Sequence, residues 1–125
     1  MTEEIKKEIR KHFEKKEYMD IVDMINTKIV IDESNYRNIL EETLNILNSI
    51  RINRDISYHE DYVEIERNFA VRFTERIYSF FARGGASEEK IKEVYEVCAN
   101  FFNAVDSVTS IGGASFNDGK GNKIK

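Results

Sequence analysis

Apolar residues recur along this chain at the three- and four-residue spacing of helices, and one stretch carries the pattern furthest. From Ser57 to Gly84-Gly85 no helix breaker intervenes. That is about 40 Å of helix at 1.5 Å per residue. Placed at 100° per residue, Tyr62, Phe69, Phe73, Ile77 and Phe80 share one sector, with Ile65 and Phe81 at its edges and Val71 and Tyr78 on the far side. Apolar groups on more than one face predict the central helix. Ser57-Tyr58-His59-Glu60 reads as a capping box, and one of the paired glycines is expected in the left-handed conformation that ends a helix.

The remaining elements follow from the same periodicity. Ile5, Ile9 and Phe13 form a narrow stripe behind a Thr2 cap. Tyr18, Ile21, Val22 and Ile25 renew it, either as a continuation or after a kink near Lys16-Glu17. Lys28 to Ile31 is β-branched and reads as a short extended crossing, with no second strand to pair with. Tyr36, Ile39, Leu40, Leu44, Leu47 and Ile50 give the cleanest stripe, capped by Asp32 or Ser34. Arg51 to Ile56 reads as the connection into the central helix, whose aromatic sector is expected to bury against Ile39–Leu47 and the last apolar face. That face runs from Ile91 through Val94, Cys98, Phe101 and Val105 to Val108, behind a Ser87 cap, and ends at Gly112-Gly113. The expectation is an all-α, single-domain bundle of four to five helices over residues 1–113, followed by a flexible Gly- and Lys-containing tail over 114–125.

Composition sharpens this picture. Proline is absent, and glycine is confined to positions 84, 85 and beyond 111, so long helices are the default. No apolar run is long enough to span a membrane, and no membrane partner is expected. A single cysteine suits a reducing compartment, which points to the cytoplasm. The net charge of −4 is unevenly spread. Residues 17–66 carry four basic and twelve acidic groups, whereas residues 67–111 carry six of each. A nonspecific nucleic-acid binder is normally basic overall, so any such contact here must be local.

Catalytic constellations are scarce, and no enzyme activity, metal or cofactor is expected. His12 and His59 are far apart in sequence and lack the short ligand spacings of zinc sites. Cys98 lies on an apolar stripe and reads as packing. Glu66 projects into the aromatic sector, where an unpaired carboxylate is costly, so it should find an ion-pair partner or an open helix edge. One edge of the central helix carries Asn68, Arg72, Arg76, Ser79 and Arg83. These arginines are either a solvated face paired with carboxylates such as Glu75, or a row of guanidiniums for phosphates. Residues 72 to 83 span about 16 Å, enough for two or three phosphates. Three such contacts give a salt slope of only about −2.7 on a duplex, so such a module would work within a larger assembly.

The order of motifs resembles the small helical subunit of type III-A CRISPR interference complexes. The resemblance rests on Ile31, Ser34, Tyr36, Arg37, Ile39 and Leu40 at the start of one helix. It continues through the alternating apolar and basic Phe69-Ala70-Val71-Arg72-Phe73, then Tyr95-Glu96-Val97-Cys98, Phe101-Phe102 and Gly112-Gly113. It covers roughly residues 31–113. The chain departs from the family pattern where Asp32 and Glu33 replace its threonines, where no Gly-Arg closes the middle helix after Phe73, and where Ala99 stands in place of the lysine after the cysteine. The resemblance implies a noncatalytic subunit of an RNA-guided antiviral complex. Copies would self-associate along the guide–target RNA duplex beside the other subunits, contacting backbone phosphates without reading bases. Arg37 is carried over by motif and Arg72 by a looser match, while Arg76 and Arg83 come from the helical stripe. The competing expectation is a small helical protein-binding module, an immunity, anti-defence or regulatory protein, that uses its acidic surface to meet a basic partner.

Overall fold

A computed structural model describes the backbone of residues 1–52 and 59–110, and the side chains among them apart from 59–61 and 107–110. The Ser57 capping box, the Gly112-Gly113 stop, the tail and the His59 side chain lie outside the described residues. Five helices are present, with no strand among the described residues: α1 (Glu3–Glu14), α2 (Tyr18–Thr27), α3 (Tyr36–Ile52), α4 (His59–Arg83) and α5 (Glu88–Ser110). The chain is an all-α bundle.

Local chemistry explains where the helices start and stop. The Thr2 hydroxyl accepts from the Ile5 amide at 3.2 Å, and the Ser87 hydroxyl from the Lys90 amide at 3.2 Å. Ahead of α3 it is Asp32, not Ser34, that caps. Its Oδ1 accepts from the amides of Ser34 and Asn35, while Asn35 Oδ1 accepts from the Asp32 amide at 2.8 Å. This reciprocal pair, with Asn35 also donating to the Val30 carbonyl, holds residues 28–35 as an irregular connection. Between α1 and α2 the chain breaks rather than continues, because Lys16 adopts φ of 63° and the Glu17 amide donates back to the His12 carbonyl. At the end of α4, Gly85 takes φ of 79° and the Ala86 amide donates to the Phe81 carbonyl, a Schellman stop.

A row of rings crosses the interior. Phe13 and Tyr18 pack on Phe69, Phe69 on Phe73, and Phe73 on Phe101, with centroids 5.1–5.9 Å apart. Helices α1, α2, α4 and α5 are thereby joined. The backbone of α4 lies against α5 and α2, whereas α3 lies against α1 and α5. The Ile39–Leu47 face shares one buried core with Phe69, Phe73 and Ile77 of the central helix. At the two ends of α3, Tyr36 packs on Phe81 and Arg51 reaches Glu66. Two assignments move. Arg51 and Ile52 belong to the last turn of α3 rather than to the connection. Phe80, expected in the buried sector, is 49% exposed, while Phe81 and Ala70 are buried. The buried face of α4 keeps Phe69, Phe73 and Ile77 of that sector and adds Ala70 and Phe81, leaving Phe80 at its margin.

Candidate nucleic-acid interface

The arginine edge of α4 is where the four candidate residues separate. Arg76 and Arg83 are exposed and face a groove of about 550 Å³ between the C-terminal half of α4 and the connection from α2 to α3. Seven residues apart, they sit about 10 Å apart along one edge. Phe80 lies between them, four residues after Arg76 and three before Arg83, so all three side chains share one surface. Ile29 and Val30 form the opposite wall. Among the described residues neither arginine has an ion-pair partner, and none of the residues lining the groove is acidic.

Arg72 and Arg37 are placed differently. Arg72 continues the same edge one turn earlier, with Nη1 3.2 Å from Glu75 Oε1, both side chains well exposed. Arg37 begins α3 and is tied across to α5. Its Nη2 donates to Glu93 Oε2 at 2.7 Å, and its guanidinium also lies 5.5 Å from the Tyr36 ring centroid. The same Glu93 oxygen accepts from the Tyr36 hydroxyl at 2.8 Å and from Lys90 at 3.2 Å. Arg37, Tyr36 and Lys90 together hold the Glu93 carboxyl down at about 2. The solvated, carboxylate-paired reading thus fits Arg37 and Arg72, and the open guanidinium reading fits Arg76 and Arg83.

A second concavity, about 750 Å³, lies between α4 and α5 on the other side of α4, lined by Val71, Tyr78, Tyr95 and Phe102. Tyr95 is 62% exposed there and packs edge-on to Tyr78, centroids 6.3 Å apart. Cys98 lies at its floor, with Sγ donating to the Thr74 carbonyl at 3.8 Å. Burial pushes this thiol up to about 11, so it stays protonated at neutral pH and is a poor nucleophile.

Helix pairing also assembles groups that linear spacing keeps apart. At the α1–α2 corner, His12 Nδ1 lies 2.8 Å from Glu17 Oε1 and 3.9 Å from Asp20 Oδ2. Mixed nitrogen and oxygen donors at such distances can hold a zinc-like cation, and these three are the residues that could do so among the described ones. The same contacts equally make an ordinary imidazole–carboxylate cluster at an exposed corner. The sequence reading missed it because the left-handed turn at Lys16 brings the three together. It also left Glu66 without a named partner, whereas Arg51 and Tyr18 supply hydrogen bonds at 2.7 and 3.0 Å. Glu66 is structural.

No described helix is long and apolar enough to cross a membrane. No family model matches the chain, and neither a curated protein nor a solved structure matches it.

Proposed function

We propose that this chain is a noncatalytic RNA-positioning protein, a small subunit of a type III CRISPR effector complex that holds the guide–target RNA through backbone phosphates. The observation that carries the reading is the pair Arg76 and Arg83, which share one exposed edge without a carboxylate partner among the described residues. In a chain of net charge −4, an uncompensated guanidinium pair is where a polyanion gains most. Arg72 extends the row, and Arg37 joins only by exchanging Glu93 for phosphate. Few contacts imply weak binding alone, which suits a subunit held in place by its neighbours. The test is to purify the complex from native lysate carrying Arg76→Glu with Arg83→Glu. Loss of copurified guide RNA at physiological salt, with helicity unchanged, supports the reading. RNA retention equal to wild type, or copurification of unrelated protein without RNA, overturns it.

The α4–α5 concavity favours a second reading, a helical protein-binding module. Val71, Tyr78, Tyr95 and Phe102 offer an apolar patch of the kind that interfaces cover. The exposed carboxylates of Glu17, Asp20, Asp23, Glu33 and Glu41 would favour a basic partner. Tyr95→Glu separates the two readings, since it should abolish partner capture while leaving RNA retention intact.

A further inference from the structure

We infer that the groove between α4 and the α2–α3 connection receives an unpaired nucleotide of single-stranded RNA, its base against Phe80 and its flanking phosphates on Arg76 and Arg83. The inference rests on the RNA reading above and specifies what the arginine edge holds. Three features of the groove converge on this ligand. The first is size, since about 550 Å³ lies within the range of small-ligand pockets and accommodates one nucleotide. The second is charge. Glu93 and Glu75 compensate the other two candidate arginines, yet no described residue lining this groove is acidic. The third is exposed apolar surface, on Phe80 between the two cations and on Val30 of the facing wall. Phe80 is 49% exposed and Val30 is 80% exposed. The Phe80 ring meets Phe81 edge-on, centroids 5.4 Å apart at 83°, and the rest of its surface is open.

Cation, aromatic and cation along one helix edge match the alternation of phosphate, base and phosphate along an unpaired strand. A free phosphate would use the arginines and leave Phe80 and Val30 wet. A regular duplex would use the arginines equally well, because its bases are stacked inside and cannot reach a side-chain ring. Among these phosphate-bearing ligands an unstacked base is the one that uses the aromatic group, and stacking of this kind tolerates any base. Asn26 and Ser79 on the groove wall add uncharged donors and acceptors for base edges or ribose hydroxyls.

The test is fluorescence anisotropy of the full chain with a labelled 12-nucleotide oligouridylate and with a 12-base-pair RNA duplex. Phe80→Ala is expected to weaken oligouridylate binding about tenfold and leave duplex binding unchanged, while Phe80→Tyr keeps both. Arg76→Gln with Arg83→Gln should weaken both and flatten the single-strand salt slope by about 1.4. In the wild-type chain, ultraviolet crosslinking to 4-thiouridine should fall on the peptide carrying Phe80, a readout independent of whether any variant folds. Arginine-dependent duplex binding with Phe80→Ala neutral on both probes overturns this inference and leaves the proposed function standing. Binding of neither RNA by the chain or its native complex overturns both. Equal, Phe80-dependent binding of oligoglutamate would assign the groove to acidic peptides instead.

Discussion

Arg51, on the last turn of α3, closes on Glu66 in α4 with Nη2 and Nε at 2.7 and 3.0 Å from the same carboxylate oxygen, and Glu66 is fully buried. The Tyr18 hydroxyl of α2 donates to the other oxygen at 3.0 Å, and Arg51 Nη2 also donates to the Val105 carbonyl of α5 at 3.0 Å. Three helices meet at one carboxylate, and Arg51 ties in the fourth. Removing one partner from a buried ion pair strips the other of part of its compensation, so Arg51→Ala is expected to cost up to about 3–5 kcal/mol. Replacing both by apolar residues of similar volume, Arg51→Met with Glu66→Leu, should recover most of that loss. Urea denaturation followed by circular dichroism measures both variants, and a double variant no better than Arg51→Ala would show that the pair contributes attraction beyond its own desolvation.

The same pair marks how far the fold was legible beforehand. The periodicity of Ile5, Ile9, Phe13 or of Tyr36, Ile39, Leu40 is a local property, and so are the Thr2 and Ser87 caps and the left-handed Gly85; all were readable in order. That Glu66 needed a partner was also readable, because burial of a carboxylate is costly wherever it occurs. Which partner it took was not, since Arg51 arrives from a different helix through packing. Phe80 failed for a related reason. A helix with apolar groups on several faces does not state which face its neighbours will cover, and here Tyr36 of α3 packs on Phe81 and leaves Phe80 half exposed. The candidate site divides the same way: the arginine stripe of α4 follows from helical spacing, whereas the wall that turns it into a groove comes from residues 29–31 of another segment.

Phe73 and Phe80 should therefore respond very differently to truncation. Phe73 is fully buried between Phe69 and Phe101, with centroids 5.1 and 5.7 Å away. Phe73→Ala is expected to destabilise the fold by about 3–5 kcal/mol through lost transfer energy and an unfilled cavity. Phe80→Ala removes a half-exposed ring and should cost under about 1.5 kcal/mol. Thermal unfolding of both variants checks the order, and equal losses would mean that Phe80 is covered in solution.

Glu93 gives the fold a tie that resists acid. Its carboxyl is held down to about 2 from an ordinary value of 4.5, by Arg37 first and then by Tyr36 and Lys90. A depressed carboxylate contributes stability that is present above its unfolded value and is lost as pH falls through its folded value. The α3–α5 contact should accordingly persist at pH 4 and weaken between about 4.5 and 2. Carbon-13 titration of the Glu93 carboxyl by NMR should show its midpoint near 2 in the wild type. Removing the largest contributor, as Arg37→Ala, should move that midpoint upward toward the ordinary range; an unmoved midpoint would place the control elsewhere.

Cys98 offers a probe of the α4–α5 pair. It is 5% exposed, its thiol is raised to about 11, and its Sγ lies 3.8 Å from the Thr74 carbonyl across the helix interface. At pH 7 the thiolate fraction is then about one part in 10⁴, against a few parts in 100 for a free cysteine. Alkylation by iodoacetamide should be slow in the native chain and rise to the free-thiol rate in denaturant. Val94, Phe101 and Val105, all buried on α5, keep this helix seated against the bundle. Val94→Ala should therefore accelerate labelling in proportion to the opening it permits, without any change in the thiol's chemistry. Native labelling at the free-thiol rate would mean that the concavity lined by Tyr78, Tyr95 and Phe102 reaches the sulfur and that α5 moves away from α4 under ordinary conditions.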